Sequence, residues 1–499
     1  MQDVGTYGAA YWAGSLLPWL PDEKVYAAQL AADPLRPQFH LLPPRNWMND
    51  PNGPIYWNGQ YHLFYQFNPG AAVWGDMHWA HAVSPDMIHW KHLPIALAPT
   101  PGGPDQDGCF SGSAVRDGDN ATFLYTGVKA VAPADATLRD GTHNFVETQC
   151  LATSRDPLLK TWDKLPFPVL LPPRDPKLTG FRDPCLWREG NTWYMGIGSG
   201  QRGEGGQILL YRSADLRKWE YLHPLISGKG NGKQTSDFVD SGEMWECPDF
   251  FALGKKHVLL YSTERKVFWQ TGELDRTELV FHAEQKGYLD AGAFYAPKSQ
   301  LDENGRRILW GWIPETRPEA EFSAAGWAGC MSLPRVLALD SQNKLAMNFL
   351  PELSKLEQES ASFTEKGSWR AEALQKLALP TSAACEISFG PKKFTLTFSS
   401  GSDSWLTLSF DPAKTGQELQ IGKQSASCPG TADPSHQMKL FIDASVVECI
   451  ADASIALTTR NYPQAKGPLR MLIDDHDQGA INSLRIASVK PISPDRLTS

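Results

Sequence analysis

Three short segments of the chain each contain an acidic side chain close to a proline, which restricts the backbone. They lie at residues 47–53, 181–184 and 245–249, and their acids are Asp50, Asp183 and Glu246. Cleavage of a glycosidic bond commonly uses two carboxyl groups in different protonation states, one that attacks or assists and one that donates a proton. The segments therefore predict one acid-rich site that is assembled from distant parts of the chain.

The elements that must position these acids form a fivefold pattern. Strands with alternating apolar residues are predicted at 60–65, 121–125, 192–196, 257–261 and 307–311. Three of these strands are followed by a second repeat, a Ser-x-Asp turn in a segment that ends at a Trp, at residues 84–90, 154–162 and 213–219. A supersecondary unit repeated about every 50–70 residues is typical of a propeller, and five repeats predict five blades.

The acids keep a constant position within this repeat. Asp50, Asp183 and Glu246 each precede the predicted strand of their blade by about ten residues. Because the first strand of every propeller blade lines the central channel, residues at this position converge on one mouth. A single Asp-Pro or Asn-Gly pair indicates only a turn, but three in the same phase favour a site.

Composition limits the classes of partner. The 499 residues carry a formal charge of −9 and contain no run of Lys or Arg, which argues against nucleic acid or an anionic membrane. No apolar stretch is long enough to span a bilayer. The 18 Trp suit the apolar faces of sugars, although they also suit a β-rich core.

Cysteine and histidine usage gives no metal signature. The eight Cys are scattered without a CxxC pair, and no His lies at zinc-ligand spacing, so no metal site and no cofactor are expected. Cys385 and Cys428 are a candidate pair that bridges two late strands. Scattered free thiols are an equal alternative.

The expected fold class is all-β, and the pattern divides the chain into four parts. Residues 1–38 form an N-terminal extension with a possible helix near 22–32, and 39–340 form the propeller. Residues 341–365 are a linker with a short helix over 351–358, opened by Pro351. From 366 to 499, alternation without the aromatic repeat predicts a β-sandwich. Its acids Asp443 and Glu448 occupy strand and turn positions and are interpreted as structural.

Six segments match the motifs of a known family in order and approximate spacing. They are residues 47–53, 110–113, 182–184, 246–249, 294–296 and 443–448. In these motifs the chain resembles the invertases, inulinases and levanases of glycoside hydrolase family 32. The resemblance implies a five-bladed β-propeller followed by a C-terminal β-sandwich, with no required cofactor. It also implies a retaining β-fructofuranosidase that hydrolyses terminal fructosyl bonds of sucrose or fructans through a covalent intermediate.

The resemblance also assigns roles. It implies that Asp50 is the nucleophile, Glu246 the general acid and base, and Asp183 the stabiliser of the transition state. Asp50 is expected to stay ionised with help from the Asn-Gly backbone at 52–53. Glu246 beside Trp245 is expected to have a raised pKa, and Asp183 is expected to be charged beside its neighbour in the sequence, an arginine.

The sugar-contacting residues implied by the family are Asn49, Gln66, Trp74, Phe110, Ser111, Arg182, Tyr295 and Trp312. Of these, the two Trp could equally pack the blades.

Departures from the family pattern leave the substrate open between sucrose, inulin and levan. Phe110 stands where many plant members have Trp, and residues 262–266 lack the aspartate-rich segment of plant sucrose-cleaving members. Trp47 favours hydrolysis over fructosyl transfer, which is the main alternative.

Two further alternatives come from other classes of protein. They are a non-catalytic carbohydrate-binding propeller, which predicts a missing acid although none is missing, and a five-bladed enzyme acting on arabinan or xylan. The expected partner is a small or polymeric fructoside, without nucleic acid or membrane, and the oligomeric state is not predicted. Secretion or a periplasmic location is expected, with a signal peptide absent from this chain, and a cytoplasmic location is the alternative.

Overall fold

The computed structural model describes residues 21–364, 382–413, 418–427, 435–463, 469–474, 479–494 and 497. It confirms an all-β fold with a five-bladed propeller and a C-terminal sandwich. The first two blades contain β1 (Asn46–Trp57), β2 (Gln60–Asn68), β3 (His78–Ser84), β4 (Lys91–Leu97), β5 (Gly108–Asp117), β6 (Asn120–Ala130), β7 (Leu138–Arg139), β8 (Asn144–Ser154) and β9 (Asp163–Lys164).

The remaining three blades follow in chain order. The third and fourth contain β10 (Leu178–Glu189), β11 (Thr192–Gln201), β12 (Gly205–Ser213), β13 (Glu220–Ser227), β14 (Glu246–Leu253), β15 (Lys256–Thr263), β16 (Lys266–Leu274) and β17 (Phe281–Asp290). The fifth region contains β18 (Tyr295–Leu301), β19 (Arg307–Ile313), β20 (Trp327–Ala328), β21 (Cys330–Met331), β22 (Arg335–Leu339) and β23 (Leu345–Phe349). The five strands predicted from alternation are β2, β6, β11, β15 and β19, the second strand of each blade.

The ring closes where the last blade meets the first. β20 leaves the fifth region and pairs in parallel with β1 of the first blade. Gly329 follows β20 with φ +77°, and a Cβ there would lie 2.1 Å from the carbonyl oxygen of Met48. Only glycine allows this approach without strain, so the closure depends on the residue type at 329.

The first strand of every blade carries a break in register near one end. The breaks lie between Met48 and Pro51, Cys109 and Gly112, Arg182 and Cys185, Glu246 and Asp249, and Tyr295 and Lys298. Asp183, Cys247 and Ala296 have positive φ at these breaks. Because a β-bulge turns the strand and re-aims its side chains, each blade presents residues to the channel at the same level. This is the structural origin of the constant phase of the acids.

The Ser-x-Asp repeat is a turn that ends the third long strand of each of the first three blades. The backbone N–H groups of Asp86, Asp156 and Asp215 donate to the hydroxyl of the serine two residues earlier, at 3.1–3.2 Å. Trp162 and Trp219 then each donate an indole N–H to a backbone carbonyl of the turn. The repeat found in the sequence is therefore a fixed hydrogen-bonded turn.

The sandwich consists of two facing sheets. Its strands are β24 (Glu357–Thr364), β25 (Ser382–Phe389), β26 (Phe394–Ser400), β27 (Asp403–Asp411), β28 (Glu418–Ile421), β29 (Gln424–Ser427), β30 (His436–Asp443), β31 (Val446–Ala451), β32 (Ile455–Arg460), β33 (Leu469–Asp474) and β34 (Ile481–Val489). One sheet has the order β24-β34-β25-β30-β31-β32, and the other β29-β28-β27-β26-β33. Cys385 is a buried free thiol on β25, which agrees with the free-thiol alternative, and Cys428 lies outside the described residues.

Three short helical elements complete the described part of the chain. The helix predicted near 22–32 is present as α1 (Pro21–Ala32), and α2 (Glu319–Ala325) precedes β20. The predicted helix over 351–358 is a six-residue 3-10 helix, Pro351–Leu356, because β24 begins at Glu357. This turn lies inside the predicted linker 341–365, although β23 still belongs to the fifth blade. Across the described ranges, no helix has the length and apolar character to cross a bilayer.

A buried charged network joins the sandwich to the propeller. His40 Nδ1 lies 2.7 Å from Asp443 Oδ2, and its Nε2 lies 3.0 Å from Glu448 Oε1. Arg335 binds Glu448 at 2.6 Å and Asp290 at 2.9 Å. The structural interpretation of Asp443 and Glu448 agrees with these contacts.

This network predicts a pH dependence of stability. The carboxylates of Asp443 and Glu448 each accept a hydrogen bond from His40, so both ring nitrogens of His40 need protons. Burial alone would lower the pKa of His40, but the bonds to Asp443 and Glu448 raise it to about 9 from 6.5. The stabilisation from His40, on the order of 3 kcal/mol, is complete below pH 6.5 and is lost as the pH rises through 9. Denaturant unfolding between pH 6.5 and 8.5 should show this decline, and His40→Gln should flatten it. A decline of equal slope in the variant would contradict the assignment.

Candidate active site

A pocket of about 240 Å³ opens where the bulged first strands meet. All eleven residues that the sequence assigned to the site line it: Asn49, Asp50, Gln66, Trp74, Phe110, Ser111, Arg182, Asp183, Glu246, Tyr295 and Trp312. Eight of them lie within or beside a register break. Every blade contributes at least one residue. The fold therefore brings the three acids together as the repeat predicted.

Asp50 is held by side-chain donors. Ser111 Oγ donates to Oδ2 at 2.6 Å, Asn49 Nδ2 donates to Oδ1 at 3.0 Å, and Cys247 Sγ lies 3.4 Å from Oδ2. Trp47 Nε1 donates to the amide oxygen of Asn49 at 2.7 Å, which fixes the direction of the amide. The expected donors, the backbone of residues 52–53, are not among these contacts, so that prediction was wrong.

The position of Asp50 has an electrostatic cost. Burial raises the pKa of Asp50, and the hydrogen bonds from Ser111 and Asn49 oppose that rise. The negative charge of Glu246 raises it further, and Cys247 opposes it. Donors that bond to the charged form favour ionisation, so Ser111 and Asn49 favour a carboxylate in a pocket that otherwise disfavours one.

Asp183 faces the same space from the third blade. Its backbone N–H donates to Thr126 Oγ1 at 2.9 Å, and its Oδ2 accepts the N–H of Cys247 at 2.8 Å. Burial raises its pKa, and Arg182 opposes this. The lowering of the pKa expected from the neighbouring arginine is present, but it is smaller than the rise from burial. Arg182 itself hydrogen-bonds to Glu246 and not to Asp183, at the register break where both residues line the pocket.

Glu246 has two different partners on its two oxygens. Arg182 donates to Oε1 through Nε at 3.1 Å and through Nη2 at 2.9 Å, while Tyr295 OH donates to Oε2 at 2.7 Å. Burial raises its pKa against the opposing charge of Arg182, with a further rise from Asp183. The expected direction is present. Its source is burial in the pocket, since Trp245 instead stacks on Tyr261 at 4.0 Å.

Aromatic side chains form the rim. Trp74 is 40% exposed, packs edge-on against Phe110 at 5.9 Å and lies 5.0 Å from the ring of His143. Trp312 lines the pocket and packs against Trp47 at 5.8 Å. Trp74 is thus a rim residue and not a core residue of its blade. An exposed ring at a pocket rim offers a flat apolar surface to a sugar.

Sequence reasoning missed several residues of the pocket wall. They are Leu138, Arg139, Asp140, Thr179, Asp237, Phe238, Met244 and Cys247. Half of them, Asp140, Asp237, Phe238 and Met244, lie on irregular connections, where no hydrophobic period indicates which residues face the pocket. Glu147, behind the pocket on β8, was also missed; its signal was a carboxylate within an otherwise uncharged strand. Within the described residues, no group of three or more His, Cys, Asp or Glu is arranged to hold a metal ion.

The propeller matches a known protein family. The family described as "Glycosyl hydrolases family 32 N-terminal domain" matches residues 40–348. The chain belongs to glycoside hydrolase family 32. The match spans the propeller and includes every residue assigned to the pocket, so this family 32 protein is a glycoside hydrolase.

Individual relatives extend the likeness across the whole fold. The sucrose-6-phosphate hydrolase of Escherichia coli is 37% identical over 468 residues, which cover 86% of this chain and 89% of that protein. The β-fructofuranosidase of Bombyx mori has 29% identity and a TM-score of 0.76, covering 95% of this chain and 98% of that chain. Fructan 1-exohydrolase IIa of Cichorium intybus, solved with 1-kestose, has 26% identity and a TM-score of 0.77, covering 92% and 98%.

Proposed function

We propose that this family 32 enzyme is a retaining β-fructofuranosidase that removes terminal fructose from sucrose or fructans. The observation that carries the proposal is the unequal treatment of two carboxyl groups in one pocket. Asp50 accepts hydrogen bonds from uncharged donors on both oxygens, whereas Glu246 has a guanidinium on Oε1 and, on Oε2, a hydroxyl group that can either donate or accept. A nucleophile and a general acid need these two environments.

In the first step, Asp50 attacks the anomeric carbon of the fructosyl unit. The carbon–oxygen bond to the leaving sugar breaks, and the proton on Glu246 passes to the departing oxygen. Because Arg182 places two hydrogen bonds on Oε1, the transferable proton belongs on Oε2, and the Tyr295 hydroxyl oxygen then accepts the hydrogen bond at that position. The products are a fructosyl ester of Asp50, the released sugar and an ionised Glu246.

In the second step, the ionised Glu246 removes a proton from water, and the water oxygen attacks the anomeric carbon. The ester bond to Asp50 breaks, which restores both carboxyl groups to their starting states. Two displacements on the same carbon give net retention. Asp183, held by the N–H of Cys247, takes no proton in this scheme and holds sugar hydroxyls.

Relatives of this chain support the substrate class. They include a sucrose-6-phosphate hydrolase, a β-fructofuranosidase and a fructan exohydrolase solved with 1-kestose. The sugars in these names share a terminal β-fructosyl group and differ in what is attached to it. The fructosyl group is therefore the common element that we assign to the pocket.

A substrate panel tests the proposal. Fructose release is expected from sucrose, with sucrose-6-phosphate, 1-kestose, inulin and levan compared by kcat/KM. Proton NMR during early turnover should show the β anomer of fructose first, as retention requires. Growing oligosaccharides at high sucrose would show transfer in place of hydrolysis. Release of arabinose or xylose from plant polymers, without fructose release from any fructoside, would overturn the proposal.

A further inference from the structure

Arg182 forms ion pairs with two carboxylates, and only one of them lines the pocket. Its Nη1 donates to Glu147 Oε1 at 2.8 Å, while Nε and Nη2 donate to Glu246 Oε1 at 3.1 and 2.9 Å. Glu147 lies on β8 of the second blade, behind β10. One guanidinium is therefore shared by two acids from different blades.

The surroundings of Glu147 suit an anion. Its side chain is 0% exposed. Its second oxygen, Oε2, accepts the backbone N–H of Phe181 at 2.7 Å and the hydroxyl of Thr137 at 2.8 Å. With Arg182 on Oε1, all three hydrogen bonds to this carboxyl group come from donors. A buried polar group with this set of partners is satisfied as a carboxylate.

The positive charge of Arg182 disfavours a proton on Glu246 unless a second anion offsets that charge. An arginine paired with a single acid favours ionisation and lowers the pKa of that acid by about 1–3 units. Such a shift would remove the proton that Glu246 must donate. A second, permanently placed carboxylate offsets the charge of Arg182 while keeping its hydrogen bonds. The charged or titratable groups that interact with Glu246 include Arg182, Asp183, Tyr295, Asp237, Asp50 and Cys247.

We propose that Glu147 is a positioning residue that holds Arg182 against Oε1 of Glu246 and offsets its charge, so that Glu246 keeps its proton on Oε2. The proposal rests on the assigned role of Glu246 as general acid. Arg182 is the cation that hydrogen-bonds to Glu246, so the charge balance at Glu246 depends on the other partner of Arg182. The raised pKa of Glu246, which burial dominates, agrees with this arrangement.

Glu147→Gln is the decisive variant. It keeps the shape of the side chain and removes the charge, so the full charge of Arg182 acts on Glu246. The alkaline limb of kcat/KM for sucrose should move to lower pH by about one unit or more. Glu147→Asp keeps the charge and should leave the limb in place even if turnover falls. Glu220→Gln is the matched control, because Glu220 pairs with Arg212 on the exposed edge of the third blade.

A second measurement separates this proposal from the proposed function. The carboxyl stretch of Glu246, assigned in infrared difference spectra with Glu246→Gln, titrates whether or not fructose is released. A lower titration midpoint in Glu147→Gln, with folding verified by circular dichroism, supports the proposal. An unchanged midpoint in a folded Glu147→Gln protein overturns it. Absence of fructose release by the wild type bears on the proposed function alone.

Discussion

Replacing Asp50 with Ala is expected to lower kcat for sucrose by about 10⁴-fold or more, since loss of a nucleophile in other enzymes costs on the order of 10⁶. The reason is that no other group in the pocket is placed for covalent attack with the same set of donors. Ser111 and Asn49 both direct hydrogen bonds to Asp50, and Trp47 fixes the amide of Asn49. The variant should unfold at a temperature close to that of the wild type, because it removes a buried acid whose pKa is raised by burial.

Rescue by a small anion identifies the role of Asp50. In Asp50→Ala, azide can occupy the space of the lost carboxylate and attack the anomeric carbon once. A single displacement gives fructosyl azide with inverted configuration, detectable by NMR. Asp183→Ala is the matched control, because Asp183 is a buried acid of the same pocket. Near-normal turnover of Asp50→Ala, or an inverted azide product from Asp183→Ala but not from Asp50→Ala, would contradict the assignment.

The convergence of the acids was predictable because it follows from a repeat. Asp50, Asp183 and Glu246 share a phase relative to strong strands, and each strand proved to be the second of its blade. A propeller turns a phase in sequence into a height along the channel. The long-range part of the fold was thus present in the sequence as periodicity.

The local environment of each acid was not predictable, because it depends on the bulges. Adjacency suggested that Arg182 would pair with Asp183, but at the register break, where Asp183 has φ +63°, Arg182 hydrogen-bonds to Glu147 and Glu246 instead. For Asp50, the donors come from its own strand and from Ser111, which lies 61 positions away. Partners at such separations carry no local pattern, so they emerge only when blades pack side by side.

The rim was also beyond sequence reasoning. Asp140, Asp237 and Phe238 belong to irregular connections, which have no hydrophobic period. Gly141 lies close to Ser236, where an added Cβ would be 3.2 Å from the serine Cβ, so the two connections touch. Contacts between loops of different blades therefore shape the rim of the pocket. Under the proposed function, the sequence predicts the site of the fructosyl group better than the site of the leaving group.

Glu246→Gln is expected to lower kcat/KM for sucrose by about 10²–10⁴-fold, the usual worth of a placed general acid. Gln keeps hydrogen bonding to Arg182 and Tyr295 but carries no transferable proton. The alkaline limb of the pH profile, which reports deprotonation of Glu246, should disappear, while the acid limb from Asp50 remains. Kinetics on sucrose from pH 4 to 9 measure both limbs. A retained alkaline limb would assign the acid to another residue.

The leaving group provides the sharper test of Glu246. An aryl fructoside such as 4-nitrophenyl β-fructofuranoside leaves as a stable phenolate and needs little protonation, so its cleavage should be far less impaired than that of sucrose. The second step still lacks its base, so a burst of nitrophenol followed by slow turnover is expected. Azide needs no base and should speed that step, giving fructosyl azide of retained configuration. Opposite azide stereochemistry from Glu246→Gln and Asp50→Ala follows only if Asp50 carries the fructosyl group and Glu246 moves the proton.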